Sequence, residues 1–191
     1  MPRLVTFLRF VSLLAFAGPM LLAVAGRSRV QSPPRRRMVG DRAPLATNLV
    51  SVALHLLSLG FCSGAPEGPA ALMLASMGSL LAIAGAAVVL KSRAALGAAW
   101  SLAPKADQGT GFVTSGPYRI VRHPIYLGFA LLAAGQALAF ASLPAVLIVS
   151  FGMIPTFAWR ASAEEKLLSR TFGEAYEAYR RRTRMMIPYL L

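Results

Sequence analysis

Two short polar stretches of this otherwise apolar chain hold side chains that can do chemistry. The first, Gly116 to Gly128, reads GPYRIVRHPIYLG and contains one imidazole, two phenols and two guanidinium groups. The second, Arg160 to Glu165, reads RASAEE and adds a pair of carboxylates. Carboxylates beside tyrosines suit a ligand with ammonium or sulfonium charge, and arginine suits an anionic group. The two stretches therefore predict a site for a cationic reactant and an anionic one.

The usual catalytic patterns of soluble enzymes are missing from the sequence. It contains no GxGxxG after a strand, no Walker loop, no HExxH and no set of Ser, His and Asp. Its single cysteine, Cys62, excludes an internal disulfide and a cysteine-based metal cluster. The expected chemistry therefore needs no metal.

Each polar residue also has a simpler interpretation. Arg160 and Glu164 are four residues apart and could form an ordinary helix ion pair. Tyr126 and Trp159 could belong to an aromatic belt at a membrane surface. His123, before Pro124, could simply be held extended ahead of a helix start. The joint occurrence of these residues favours a functional site over the separate explanations.

The composition predicts an integral membrane protein. Of 191 residues, 56% are hydrophobic and 14% are charged, whereas soluble domains have about 25% charged residues. The net charge is +13, but Lys and Arg are confined to segments between apolar runs, as in basic loops that face anionic lipid. A nucleic-acid partner would require a soluble basic face, which the pattern lacks. Membrane lipid is the expected partner, and no obligatory protein partner is indicated.

Five apolar runs predict an all-α bundle of about five transmembrane helices. The first run is long for a signal peptide and is followed by Arg27 and Arg29, so we expect it to be retained. Pro155 is expected to bend the last run. A single re-entrant hairpin is the alternative for the last two runs. The five runs are Leu4–Ala25, Leu45–Cys62, Ala70–Leu90, Ile125–Phe140 and Leu143–Trp159.

The distribution of charge predicts the topology. Basic residues dominate 27–42, 91–122 and 160–184, whereas the turns 63–69 and 141–142 contain none. By the positive-inside rule the N-terminus lies outside and the C-terminus is cytoplasmic. A tight hairpin of the last two runs would bring the two polar stretches together on the cytoplasmic face.

Two features of the apolar runs concern packing. His55 is expected to form a hydrogen bond between helices rather than act in catalysis. Gly78, Ala82 and Ala86 share one helical face, and such small residues let helices approach closely. The chain then divides into 1–95, with three helices and the basic loop 26–43, and 96–191, with a loop 96–123, a hairpin 124–159 and a C-terminal segment 160–191.

The polar stretches and their flanks resemble the isoprenylcysteine carboxyl methyltransferase family, and related membrane phospholipid methyltransferases share much of the pattern. The similarity is carried by VTSGPYRIVRHPIYLG at Val113 to Gly128 and R-x-x-x-E-E at Arg160 to Glu165. LGAAWS at Leu96 to Ser101 and FGEAYEAY at Phe172 to Tyr179 extend it. It covers Leu96 to Pro188, whereas the first three runs match only in hydrophobic character.

This resemblance implies a membrane methyltransferase that uses S-adenosylmethionine in a non-Rossmann pocket, built by the loop before the penultimate helix and the C-terminal segment. Arg160 would face the carboxylate of an isoprenylcysteine-like acceptor, and Glu164 would hold the ribose or amino acid part of the cofactor. The implied cofactor contacts are Thr110, Gly111, Phe112, Val113, Tyr118, His123, Pro124, Tyr126, Glu164 and, in a supporting role, Glu165.

The acceptor and the class of function remain open at this point. Methyl transfer to a carboxylate would proceed by in-line displacement, helped mainly by positioning and exclusion of water. A phospholipid amine N-methyltransferase is the alternative, because Arg160 suits a phosphate as well as a carboxylate. A lipid-binding membrane protein without enzymatic activity is the alternative from a different class.

Overall fold

The described part of this computed structural model, residues 1–25, 43–60, 66–97 and 111–187, is built from α-helices without β-strands. The predicted all-α class is confirmed. The helices are α1 (Pro2–Ala25), α2 (Ala43–Leu59), α3 (Gly68–Leu96), α4 (Pro124–Ala139), α5 (Leu143–Phe172) and α6 (Glu174–Arg182). Two of them extend past the ends of the predicted runs, since α3 continues beyond Leu90 and α5 beyond Trp159.

Proline and serine define where the helices of the second half begin. Pro124 and Pro144 occupy the first turns of α4 and α5, where a residue without an N–H loses nothing. Ser142 caps α5, because its Oγ accepts a hydrogen bond from Ala145 N at 3.3 Å. The short turn 140–142 thus closes α4 and α5 into a hairpin.

The bend expected at Pro155 takes the form of a widened helical turn. Residues Val149–Met153 of α5 form one π-helical turn, and α-helix resumes at Ile154. Pro155 lacks a backbone N–H and its ring excludes the carbonyl one turn earlier, so a wider turn ahead of it relieves that conflict. The helix continues through this point without a break.

Glycines bring α3 and α4 into backbone contact in antiparallel directions. Gly78 lies opposite Gly135, and Gly85 lies opposite Gly128. A Cβ added to Gly135 would lie only 2.5 Å from Ala82 N and 2.6 Å from Gly78 O. The predicted close approach through Gly78 is confirmed, and the partner glycines of this interface extend it along the helices.

Side-chain hydrogen bonds place α1 and α2 on this pair. Ser79 Oγ donates to Leu8 O at 2.7 Å, and the α1 residues before and after Leu8 pack on earlier and later parts of α3, so the two helices are parallel. His55 Nε2 lies 3.1 Å from Gln136 Oε1, which confirms the predicted interhelical bond and ties α2 to α4. Ser142 Oγ donates to Ser58 O at 3.0 Å, so the ends of α2 and α4 meet. The first five helices therefore alternate in direction.

The outer faces of the helices are apolar. Leu57, Leu80 and Phe151 have exposed fractions of 64%, 66% and 79%, an arrangement that suits contact with lipid. Within the described ranges, α3 and α5 are long and apolar enough to cross a membrane, while α4 and Leu49–Leu59 are shorter apolar helices. The membrane character predicted from composition agrees with these surfaces, and the count of five spans stays a prediction.

Candidate active site

The two polar stretches meet at the end of the bundle where α4 begins and the polar part of α5 emerges. A 3-10 turn, Gly116–Arg119, leads into the extended residues before α4. His123 and Tyr126 lie there, opposite the Arg160 to Glu165 segment of α5. The predicted proximity of the two stretches is therefore confirmed, and it follows from the tight hairpin of α4 and α5.

Glu164 lies at the centre of the site. Tyr126 Oη donates to Glu164 Oε1 at 2.5 Å, and Arg160 Nε lies 3.2 Å from the same oxygen. His123 Nδ1 lies 3.6 Å from the other oxygen, Oε2. The Glu164 side chain is 20% exposed, so its carboxylate is held in place yet remains accessible.

The ring of Tyr126 connects the polar cluster to the apolar interior. It stacks on the imidazole of His123, with centroids 5.6 Å apart, and on Phe157, with centroids 5.5 Å apart. Arg160 Cζ lies 5.6 Å from the Tyr126 centroid, within range of a cation–π interaction. Tyr126 is thus fixed by two rings, and Arg160 is fixed by both Tyr126 and Glu164.

Glu165 has a different environment from its neighbour. Its side chain is 8% exposed, and its Oε1 accepts a hydrogen bond from Arg122 Nε at 2.6 Å. Arg180 Nε lies 3.5 Å from Oε2, and His123 Nε2 lies 3.4 Å from Oε1 without the geometry of a hydrogen bond. Glu165 therefore belongs to a buried charge cluster, and its supporting role toward the cofactor stays a prediction.

Arg122 supplies one of the two guanidinium groups of the first polar stretch but was not among the predicted site residues. Its side chain is as buried as that of Glu165, and its Nη1 donates to the backbone oxygens of Arg180, at 3.2 Å, and Thr183. A buried arginine with a carboxylate and two carbonyl partners is a fixed structural element. The only signal in the sequence was its position directly before His123.

The residues after α6 fold back along those before α4. Arg122 N donates to Arg184 O at 2.8 Å, and His123 N donates to Met185 O at 2.9 Å. Val121 and Arg184 pair in parallel as an isolated bridge. The C-terminal segment thereby holds the backbone of His123 in place.

Aromatic rings attach the preceding loop to α6. The ring of Phe112 lies 5.1 Å from that of Phe172 and 5.4 Å from those of Tyr176 and Tyr179. Gly111 is exposed and Val113 is half-buried on the same segment, and Thr110 lies outside the described residues. The implied contact of these four residues with the cofactor stays a prediction. Tyr176 and Tyr179 were not among the predicted site residues, although the FGEAYEAY motif contains them.

Tyr118 and Tyr179 form a second link between the loop and α6. Tyr118 is buried, and its backbone oxygen accepts a hydrogen bond from Tyr179 Oη at 2.7 Å. Burial raises the pKa of Tyr118, with smaller contributions from Tyr179 and Glu164, and burial also raises the pKa of Tyr179 to about 12. Both phenols therefore stay protonated at neutral pH, and that of Tyr179 acts as a donor.

Part of this chain is similar in sequence to curated proteins of known name. The chain is 34% identical over 89 residues to the protein-S-isoprenylcysteine O-methyltransferase of Schizosaccharomyces pombe, which covers 47% of this chain and 38% of the relative. It is 31% identical over 86 residues to protein-S-isoprenylcysteine O-methyltransferase A of Arabidopsis thaliana, which covers 44% of this chain and 43% of the relative. The chain thus spans about two fifths of the length of these curated relatives.

A family match covers both halves of the site. The family model described as PEMT, phospholipid methyltransferase, matches residues 73–175, which is more than half of the chain. This range contains most of α3, the segment between α3 and α4, and all of α4 and α5. The similarity to methyltransferases predicted from the motifs is confirmed, and the chain belongs to the phospholipid methyltransferase family.

Proposed function

We propose that this chain is an integral membrane enzyme that transfers a methyl group from S-adenosylmethionine to the carboxylate of an isoprenylcysteine-like acceptor. The observation that carries the proposal is the cluster in which Glu164 lies within 3.2 Å of Arg160 and accepts a hydrogen bond from Tyr126. One end of the bundle thus presents a carboxylate for a cationic donor and a guanidinium for an anionic acceptor. The names of the curated relatives support the choice of acceptor.

The chemistry of the site fits the cofactor. S-adenosylmethionine supplies a methyl group on a positively charged sulfur, which an oxygen nucleophile can take. Glu164 is a partly exposed carboxylate beside the aromatic face of Tyr126, and both features favour a cation. His123 Nδ1 lies 3.6 Å from Glu164 Oε2, so the imidazole adjoins the carboxylate proposed to bind the cofactor. Glu164, Tyr126 and His123 are therefore the residues proposed to hold the cofactor.

Arg160 is proposed to bind the acceptor. Its side chain is 13% exposed and is aimed by its contacts with Glu164 and Tyr126. A guanidinium at this place keeps the acceptor carboxylate ionised and directs one of its oxygens toward the methyl group. A carboxylate is already a nucleophile, so the residues of the site need only position the reactants and exclude water.

The proposed topology has five membrane spans, with the N-terminus outside and the site on the cytoplasmic face. The alternating directions of α1 to α5 and their exposed apolar faces support it. Exposed basic residues at the site end of the bundle, Arg119, Arg180, Arg181 and Arg184, are typical of a cytoplasmic surface. The lipid acceptor would then approach between helices, and the cofactor would approach from the aqueous side.

Methylation of a phospholipid amine is the second candidate, and the description of the matching family favours it. In that case Arg160 would bind the phosphate of the headgroup, and the nucleophile would be a neutral amine. The two candidates share the cofactor site and differ only in the acceptor.

Calorimetric titration of the detergent-purified protein with S-adenosylmethionine tests the cofactor site. We expect binding by the wild type and by Arg160→Ala, and strongly weakened binding by Glu164→Gln. Glu174→Gln is the matched control, because this carboxylate is 81% exposed and pairs only with Arg181 among the described residues. If the folded wild type binds no S-adenosylmethionine, the proposed enzymatic function is wrong.

Transfer of labelled methyl tests the acceptor. The wild type is expected to label an S-prenyl N-acylcysteine in preference to phosphatidylethanolamine, and Arg160→Ala is expected to label neither. The reverse preference would establish the phospholipid candidate. Turnover by Arg160→Ala at the wild-type rate would remove Arg160 from its proposed role.

A further inference from the structure

Met186 belongs to the segment that follows α6, yet its side chain is buried between the helices of the bundle. It follows Met185, whose backbone oxygen accepts the hydrogen bond from His123 N. Its own side chain is 1% exposed and belongs to an apolar cluster contributed otherwise by α4 and α5. The other buried members of this cluster, named here the inner cluster, are Ala130, Ala133, Val149, Met153 and Phe157.

The inner cluster is continuous with the proposed acceptor site. Phe157 stacks on Tyr126, and Tyr126 has Arg160 Cζ over its ring. An acceptor whose carboxylate binds Arg160 therefore has two possible places for its apolar tail. One is the inner cluster, and the other is the outer face of α5, where Trp159 is 47% exposed.

We propose that the acceptor tail enters the inner cluster and that Met186 determines which tail lengths are accepted. This inference rests on the proposed function. A tail on the outer face would exchange one apolar surface for another, because lipid chains are as apolar as the acceptor, and little selectivity for length would result. An enclosed, close-packed surface does discriminate between tails of different length.

The composition of the inner cluster suits this role. Ala130 and Ala133 are small, and two of the six buried members, Met153 and Met186, are flexible methionine side chains. Methionine is unbranched and adapts to irregular space, which lets Met186 move aside for a tail without loss of the surrounding packing. The backbone of this segment is anchored at His123, so such a movement is confined to the side chain.

The test compares two S-prenyl N-acylcysteines that differ by one isoprene unit. For Met186→Ala, the ratio of kcat/KM for the longer to the shorter acceptor is expected to rise about tenfold, the effect of added room in an apolar pocket. Met186→Trp is expected to shift the ratio in the opposite direction. The Kd for S-adenosylmethionine should be unchanged in both variants, because Met186 lies on the tail side of the site.

Two control variants separate the inference from its alternatives. Met186→Leu nearly conserves volume and should keep the wild-type ratio, and thermal unfolding of each variant in detergent verifies that it is folded. Trp159→Ala should also keep the ratio.

A ratio unchanged by Met186→Ala and Met186→Trp, or one shifted by Trp159→Ala instead, would place the tail on the outer face and overturn the inference while leaving the proposed function intact. A wild type that binds the cofactor but methylates neither acceptor would instead overturn the proposed function, and the inference with it.

Discussion

The interface of α3 with α4 and the site end of the bundle are stabilised by opposite means. At the interface, backbone meets backbone through Gly78, Gly85, Gly128 and Gly135, with no charged side chain among these contacts. At the site end, buried charges pair through hydrogen bonds such as that of Arg122 with Glu165. Each of these two side chains is only 8% exposed. One region depends on the absence of side-chain volume, and the other depends on the presence of complementary charge.

The helix interface fixes the position of α4, whereas the polar contacts fix the orientation of the side chains at the site. The interface supports α4 from Gly128 to Gly135, and the first turn of α4 carries Tyr126. The polar contacts then decide where Glu164 and Arg160 point, because each of these side chains is held by a partner on another turn or helix. A change in volume should therefore disturb the interface, and a change in charge should disturb the site end.

Removal of Arg122 should have the largest effect on stability. Arg122→Ala leaves Glu165 buried without its closest partner and removes the side-chain donor of Thr183 O. Loss of one member of a buried ion pair costs about 3 to 5 kcal/mol of unfolding free energy. Partial compensation by Arg180, 3.5 Å from Glu165, places the expected loss at about 3 kcal/mol. Thermal or denaturant unfolding in detergent measures it.

Arg181→Ala is the matched control for this prediction. Arg181 pairs with Glu174 at 2.7 Å, but the two side chains are 64% and 81% exposed. An exposed pair contributes at most about 1 kcal/mol. Equal losses of unfolding free energy in the two variants would show that burial does not determine how much the Arg122 cluster stabilises the protein.

An added methyl group at the helix interface should have the next largest effect. In Gly135→Ala the new Cβ would lie 2.5 Å from Ala82 N, so α3 and α4 must separate. Overpacking of this kind costs about 1 to 3 kcal/mol. Gly152→Ala is the control, because the nearest atoms lie 3.8 Å from its added Cβ, and it should be neutral or slightly stabilising. A stable Gly135→Ala variant would contradict the close contact of the helices.

The sequence predicted those features whose signals are local. The apolar runs are continuous, the turn between α4 and α5 is short, and the two polar stretches flank this hairpin, so their proximity followed directly. His55 was assigned an interhelical bond because a lone histidine in an apolar run needs a polar partner, and Gln136 provides it.

The features that were not predicted depend on contacts between residues that are far apart in the sequence. Nothing periodic in the sequence indicates that the residues after α6 return to pair with Val121, Arg122 and His123. Met186 is buried because the chain returns in this way, so its burial could not be predicted from the sequence. The glycines of α4 were overlooked for a related reason, since their importance depends on the glycines opposite them on α3.

The smallest predicted effect distinguishes two tyrosines of the same helix. Tyr179→Phe keeps the ring beside Phe112 but loses the hydrogen bond to Tyr118 O, which should cost about 1 kcal/mol. Tyr176→Phe should cost nothing or stabilise the protein, because Tyr176 Oη is buried without a hydrogen-bond partner among the described residues. The two variants remove the same atom from neighbouring rings, so the difference in unfolding free energy isolates the bond. If Tyr176→Phe proves the more damaging of the two, the phenol of Tyr176 has a polar partner in the folded protein, and the site end is held by more polar contacts than those described.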